Sequence, residues 1–395
     1  MKKYIFISAV ALLALAACTK VTTGDEFDMQ REISFEVAKY VQTKANVKYD
    51  TAETFGTYAW FNNGTAVSEW MVNETVGFVG GVWKTTAHAY YWPKTGSADF
   101  ISYSPFAGTV NVRPAAAAPA TEEAQEPAPA PAPEPIITRV KDNDYTFEYG
   151  KYLVNGSKYD LMYADLATAN ANVDQVQDGV DSGYKGVPTL FHHALSRVGI
   201  QIGVNFLEDP DKTTKWEVTL QEAKLKNVKH TGSLKLTMAD KAWVKPAGEI
   251  WTPDAASAAE TIVMYELPKE EEPAADTKVP GLPLTTEFYD LLAEQFMLPQ
   301  SLEGEGETIP TLSLKIHIRT TLSNGLVINE TYTKDLPLQN LQLKSWKMNQ
   351  RIIYKISFKP TANIDDPDTP VDATITFDPA QVDWETIEDN AIIQI

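Results

Sequence analysis

From residue 198 onward, apolar side chains recur at every second position in run after run. Val198, Ile200, Ile202, Val204 and Phe206 form one such set, Trp216, Val218 and Leu220 another, and Leu234, Leu236 and Met238 a third. In an extended chain successive side chains point to opposite faces, so each run predicts a strand with one face in a core. Leu312, Leu314, Ile316 and Ile318 alternate with Ser313, Lys315, His317 and Arg319, and Asn324-Gly325 follows where a tight hairpin needs it, before Leu326-Val327-Ile328. Ile352, Tyr354, Ile356 and Phe358 make another strand, and Val371, Ala373, Ile375 and Phe377 the next. Only 285–296 has helical spacing, with Phe288, Leu291, Leu292 and Phe296 on one stripe, so a short helix is expected there. Strands that follow one another without intervening helices predict antiparallel sandwiches.

The first half carries the same period less cleanly. Ile33, Phe35 and Val37 alternate with Ser34, Glu36 and Ala38, and strand-like runs recur at 55–61, 87–92, 100–104, 145–149 and 159–164 between Asn, Gly and Pro residues. Segment 114–135 interrupts them with Ala-Pro repeats and glutamates. It cannot bury apolar surface and is stiffened by proline, so it is expected as an extended loop inserted between strands. The polar stretch 167–185 is expected to separate two domains, 32–185 and 186–395.

Before the first strand lies a different kind of segment. Lys2 and Lys3 precede an apolar run from Tyr4 to Leu15, too short for the roughly 20 residues of a membrane-spanning helix, and it closes on Leu15-Ala16-Ala17-Cys18. That ending resembles the bacterial lipobox, in which a signal peptidase cuts before the cysteine and the thiol carries a diacylglyceryl group. Residues 1–17 are accordingly expected to be a cleaved leader, Cys18 the lipidation site, and 18–31 a tether to the outer membrane. With its single cysteine lipidated, the mature chain would have no thiol for a disulfide or a thiolate nucleophile. The net charge of −19 leaves no basic surface to neutralise phosphates, which argues against nucleic acid as a partner.

Catalytic and metal chemistry finds little to build on. His192 and His193 are adjacent on a predicted strand and so face opposite ways, which prevents them from ligating one ion. His317 falls on the polar face of its strand and is expected to be solvated, and His88 and His230 have no partner at ligand spacing. The acidic run 270–272 lacks the regular Asp/Asn spacing of a calcium loop. Gly80-Gly81 precedes no helix and lacks the lysine-serine end of a phosphate loop. No nucleophile elbow is present, and the many carboxylates fall in no recognisable motif. The expectation is a protein that is not an enzyme and holds no cofactor or metal.

Two stretches carry a family likeness. Val187-Pro188 with Phe191-His192-His193-Ala194-Leu195-Ser196-Arg197-Val198, then Lys226-Asn227-Val228 with Thr231-Gly232-Ser233-Leu234, resembles the fimbrillin family of Bacteroides-type bacteria. So does the ending, Ser345-Trp346-Lys347-Met348-Asn349-Gln350, Tyr354-Lys355-Ile356 and Ile375-Thr376-Phe377-Asp378-Pro379 with Asp383-Trp384. The resemblance implies two tandem transthyretin-like β-sandwich domains, export as a lipoprotein, and assembly with other fimbrial subunits into a type V pilus by strand exchange after a protease removes the first strand.

The residues allow that mechanism. Ile33, Phe35 and Val37 together bury about 5–8 kcal/mol of apolar side chain, comparable with the net stability of a whole domain at about 5–15 kcal/mol. Removing their strand would open a groove with unpaired edges, and a neighbour's strand could fill it by β-augmentation. The expected donor is 390–395, in which Ile392 precedes the alternating Ile393 and Ile395. One departure stands out. The family's processing site usually carries arginine, whereas Thr43-Lys44-Ala45 stands here, so the subunit is either cut between Lys44 and Ala45 by a trypsin-like protease or left uncut, and a cut at Arg31 would leave the strand in place. The alternative is a surface glycan-binding lipoprotein, with some of Trp60, Trp70, Trp83 and Trp92 forming a sugar-stacking platform.

Overall fold

The computed structural model describes residues 27–39, 47–106, 135–141, 144–154, 159–170, 186–205, 208–209, 214–244, 251–254, 260–267, 280–304, 309–339, 343–361 and 372–383. Strands begin earlier than the expected tether allows, with β1 (Phe27–Glu32) followed by β2 (Phe35–Lys39), β3 (Val47–Lys48), β4 (Phe55–Asn62), β5 (Val67–Val79) and β6 (Val82–Thr85). Next come β7 (Tyr91–Pro93), β8 (Ser97–Ser104), β9 (Ile136–Lys141), β10 (Asp144–Leu153), β11 (Met162–Ala164), β12 (Ala167–Ala169) and β13 (Val187–His193). The run expected at 87–92 contributes only its end, to β7.

The later strands are β14 (Ser196–Val204), β15 (Glu208–Asp209), β16 (Thr214–Val228), β17 (Thr231–Ala239), β18 (Ala242–Val244), β19 (Trp251–Pro253), β20 (Glu260–Glu266) and β21 (Leu282–Leu284). They continue with β22 (Tyr289–Met297), β23 (Gln300–Ser301), β24 (Thr311–Thr321), β25 (Val327–Pro337), β26 (Ser345–Trp346), β27 (Gln350–Thr361) and β28 (Asp372–Asp383). The described residues are all-β, as the two-residue period implies.

The sheet of the first half runs β11-β13-β2-β6-β5-β4-β8, and β11 also pairs with β8, so it closes on itself. Inside lie Phe35, Phe55, Met71, Trp83, Phe100, Met162 and Phe191. Alternate residues of the same strands, Tyr58, Trp60, Ile101, Tyr103 and Tyr163, face out instead, toward Tyr145, Phe147, Leu234 and Leu236 on a second sheet ordered β18-β17-β10-β9. Both faces of β4 and β8 are therefore buried. Where β4 and β8 cross-pair, Gly56 stands opposite Tyr103, and the ring lies where a Cβ would be, 2.2 Å from that position at Cε1. The Tyr103 hydroxyl then reaches on to donate to Asn73 Oδ1 (2.6 Å), whose φ of 50° marks an irregularity in β5.

Two further sheets, β22-β14-β27-β28 and β15-β16-β24-β25, enclose a third core of Val198, Ile200, Ile202, Val218, Leu220, Leu314, Ile316, Tyr354 and Ile356. Here the alternation read from the sequence and the observed burial coincide. Among the described residues, pairing is antiparallel except between β2 and β13 and between β14 and β27. Because β13 pairs with β2 and β11, and β17 pairs with β10, residue 186 is not where pairing between the two halves ends.

Two expectations are corrected by this arrangement. Residues 289–297 are strand β22, antiparallel to β14, rather than helix. Register shifts between Val198 and Ile200 and between Ile200 and Gln201 allow consecutive residues Leu291 and Leu292 both to be buried, which imitates helical spacing. His317 is not solvated but 8% exposed. β24 lies between β16 and β25, so Thr219 and Thr331 flank His317 on either side, and its Nδ1 is 3.1 Å from Thr331 Oγ1. A residue on the outer face of a central strand is covered by its lateral neighbours, which an alternation pattern does not reveal.

Candidate assembly site: the first strands and the groove beneath them

Ile33, Phe35 and Val37 point into the barrel, with 2%, 3% and 8% of their surface exposed, while Ser34 and Glu36 between them are half-buried. Phe35 is the anchor. Its ring meets Phe55 edge-on at 5.7 Å and Phe100 at 5.8 Å between centroids, a geometry in which ring edges approach ring faces. Val187, Met71 and Val76 belong to the same core.

The backbone ties are unequal on the two sides of β2. Toward β13 there are five parallel register pairs, from Val187 opposite Phe35 to Phe191 opposite Lys39. Toward β6 there is one, Phe35 opposite Trp83, supplemented by Ala38 and Lys39 against β3. Ahead of β2, the Ile33 amide donates to Tyr90 O (2.8 Å), and Lys84 Nζ holds Glu32 Oε2 at 2.9 Å. The Val187 amide donates to Ser34 O at 2.8 Å, and this approach is possible because Gly186 has no side chain. A Cβ there would stand 2.7 Å from Ser34 O.

The groove has a polar support on its β13 side. His193 Nδ1 lies 2.5 Å from Asp160 Oδ2 and is buried, while His192, on the other face, has Nε2 2.8 Å from Asp165 Oδ2. The neighbouring histidines thus point opposite ways, as the strand period requires, and each fixes β13 to the segment around β11. Tyr49, packed edge-on against Phe55 and Trp83 and tilted against Phe191, shares a 2.5 Å hydrogen bond with Ser104 Oγ. Burial pushes its phenol far above the usual range, so it stays neutral and acts as a fixed polar pin in an apolar wall.

Several predicted site residues lie outside the described residues: Cys18, Lys44, Ala45, Ile392, Ile393 and Ile395. Three of the four tryptophans of the alternative reading are buried and form no sugar-stacking platform. Trp60, Trp83 and Trp92 are core residues, and Trp70 is half-buried between Phe61 and Tyr90. Among the described residues, no group of three or more His, Cys, Asp or Glu side chains is placed to hold a metal ion. Tyr49, Trp83, Phe191 and Gly186 are the groove residues that sequence reasoning missed. Trp83 and Phe191 carry apolar signals in short runs, but nothing local in Gly186 announces its contact with a strand about 150 residues earlier.

Comparison with known proteins agrees with this architecture. No curated protein sequence matches the chain. A fimbrial protein from Bacteroides vulgatus shares 14% identity over 90% of this chain and 99% of its own, with a TM-score of 0.51, which establishes a common fold. The fimbrial anchor protein Mfa2 from Porphyromonas gingivalis (13% identity, 89% and 99% covered, TM-score 0.27) and the tip fimbrial protein Mfa3 from the same organism (13%, 84% and 94%, TM-score 0.29) are also similar. Residues 43–377 match the family described as fimbrillin-like, a span that takes in most of the chain from just after β2 to the middle of β28. The chain belongs to the fimbrillin-like family.

Proposed function

We propose that the protein is a structural subunit of a cell-surface fimbria, exported as a lipoprotein on Cys18 and built into the filament by donor-strand exchange. The observation that carries the reading is the imbalance at β2. Three of its neighbourhood's side chains, Ile33, Phe35 and Val37, fill the barrel core, yet β2 is tied to β6 by a single register pair. Such a strand contributes much burial and is paired mainly along its β13 side, so its removal leaves an apolar groove bordered by β13 and β6. A cut between Lys44 and Ala45 would free it, and 390–395 of another copy, with Ile392, Ile393 and Ile395, would be the replacement. The processing protease, other fimbrial subunits and the outer membrane are the partners this scheme requires.

Cells producing the intact chain, a Cys18→Ala variant and a variant lacking 390–395 provide the test. Lipid labelling should be lost only in Cys18→Ala, and cross-linked multimer ladders should vanish on deletion of 390–395. Normal labelling of Cys18→Ala overturns the lipid anchor, and unchanged ladders without the last six residues overturn the donor assignment. The burial of Trp60, Trp83 and Trp92 removes the basis for a tryptophan-platform glycan binder.

A further inference from the structure

Where the barrel meets the second sheet, the turn between β4 and β5 faces Arg139 of β9 across a cavity of about 440 Å³. Asn62, Thr65 and Val67 line one side, and Asp99 of β8 completes the wall. We propose that this cavity is a binding site for a single neutral sugar unit.

The site is held in shape before any ligand arrives. Asn63 Oδ1 accepts from the Thr65 amide (2.9 Å), the Ala66 amide (2.9 Å) and the Thr65 hydroxyl (2.8 Å), while Asn62 Oδ1 accepts from the Gly64 amide at 2.9 Å. The turn is therefore fixed by its own side chains. Asp99 is fixed too, its Oδ2 accepting from the Tyr145 hydroxyl (2.7 Å) and its Oδ1 from Thr168 Oγ1 (2.6 Å). Tyr145 is fully buried with its ring 4.8 Å from that of Trp60, so the carboxylate rests on a packed floor.

The chemistry of the walls selects the ligand class. The lining is polar, with the Asn62 amide, the Thr65 hydroxyl and the Arg139 guanidinium around the Asp99 carboxylate, which suits hydroxyl groups that both donate and accept. The two aromatic rings lie buried beneath the floor and offer no open face, which disfavours a nucleobase or other flat ring. One carboxylate with both oxygens already engaged is a poor cation site. Arg139 and Asp99 cancel in charge, and the chain as a whole carries −19, so a neutral ligand is favoured over an anion. The volume sits at the lower end of the roughly 300–1,000 Å³ typical of small-molecule pockets, about right for one sugar residue at the end of a glycan. This site lies apart from β2 and does not depend on strand exchange.

Saturation-transfer NMR and titration of the purified protein with the methyl glycosides of glucose, galactose and mannose, and with glucuronate, test the proposal. At least one neutral glycoside should bind with a dissociation constant near or below about 1 mM, and Arg139→Gln should weaken it at least tenfold. Thr65→Val should do the same, while Thr65→Ser, which keeps the hydroxyl and its hydrogen bond to Asn63 Oδ1, should bind like the unsubstituted chain, which guards against a variant that merely misfolds. The proposal is overturned if no neutral glycoside binds, if glucuronate binds more tightly than all of them, or if binding survives both Arg139→Gln and Thr65→Val. Multimer ladders of Thr65→Val should match those of the unsubstituted chain.

Discussion

Gly186→Ala tests how firmly the first strand is held. The added Cβ would lie 2.7 Å from Ser34 O, 2.8 Å from Ser34 C and 2.9 Å from Phe35 N, all of them backbone atoms that cannot rotate away. Relief requires β2 to move off β13. Overpacking of this kind costs about 1–3 kcal/mol, and if β2 absorbs it by opening locally, the open population rises about 5- to 150-fold. Native-state amide hydrogen exchange reads that population directly. The Val187 amide, which donates to Ser34 O, and the Ile33 amide, which donates to Tyr90 O, should both exchange faster by this factor. The Leu338 amide, bonded to Pro310 O in the distant β24–β25 region, should not change. Equal acceleration at all three sites would mean that the strain spreads through the whole fold, and acceleration at Val187 without Ile33 would mean that β13 yields instead. Either result refutes the idea that β2 is the separately detachable element.

Two other substitutions follow from the packing. Gly56→Ala would drive a methyl into the Tyr103 ring and break the Tyr103–Asn73 hydrogen bond, so a loss of about 1–3 kcal/mol is expected in urea unfolding, and the double variant Gly56→Ala with Tyr103→Ala should lose less than the sum of the two single changes. Glu294 accepts from Arg351 through both oxygens and from Arg197 Nε at 2.8 Å. Burial would raise its carboxyl, but the Arg351 hydrogen bonds and the two positive charges outweigh it and hold it below the ordinary value of 4.5. A depressed folded-state value means that the stabilisation is complete above the unfolded value and is lost as pH falls through the folded one. The urea midpoint should accordingly drop on going from pH 6 to pH 3, and Glu294→Gln should flatten that part of the profile; an unchanged slope in the variant would place the acid sensitivity elsewhere.

What the sequence determined by itself is the class of element and the face each side chain takes. A two-residue period is a local property of an extended backbone, so Val198, Ile200 and Ile202, or Ile33, Phe35 and Val37, could be assigned to a core without knowing what they would touch. The same reasoning placed His192 and His193 on opposite faces, and the structure gives them separate aspartates. Local period misleads where strands are irregular or central. The register shifts against β14 made 285–296 look helical, and the lateral neighbours of β24 buried His317. Only the tertiary structure decided which strands pair. That β2 runs parallel to β13, that β11 closes the barrel against β8, and that β17 lies beside β10 are contacts between distant segments, fixed by shape and volume across the whole core. The groove exists because of those choices. No single stretch of sequence encodes a space whose walls come from β4, β6, β8 and β13, because the energy that selects it is shared among all of them.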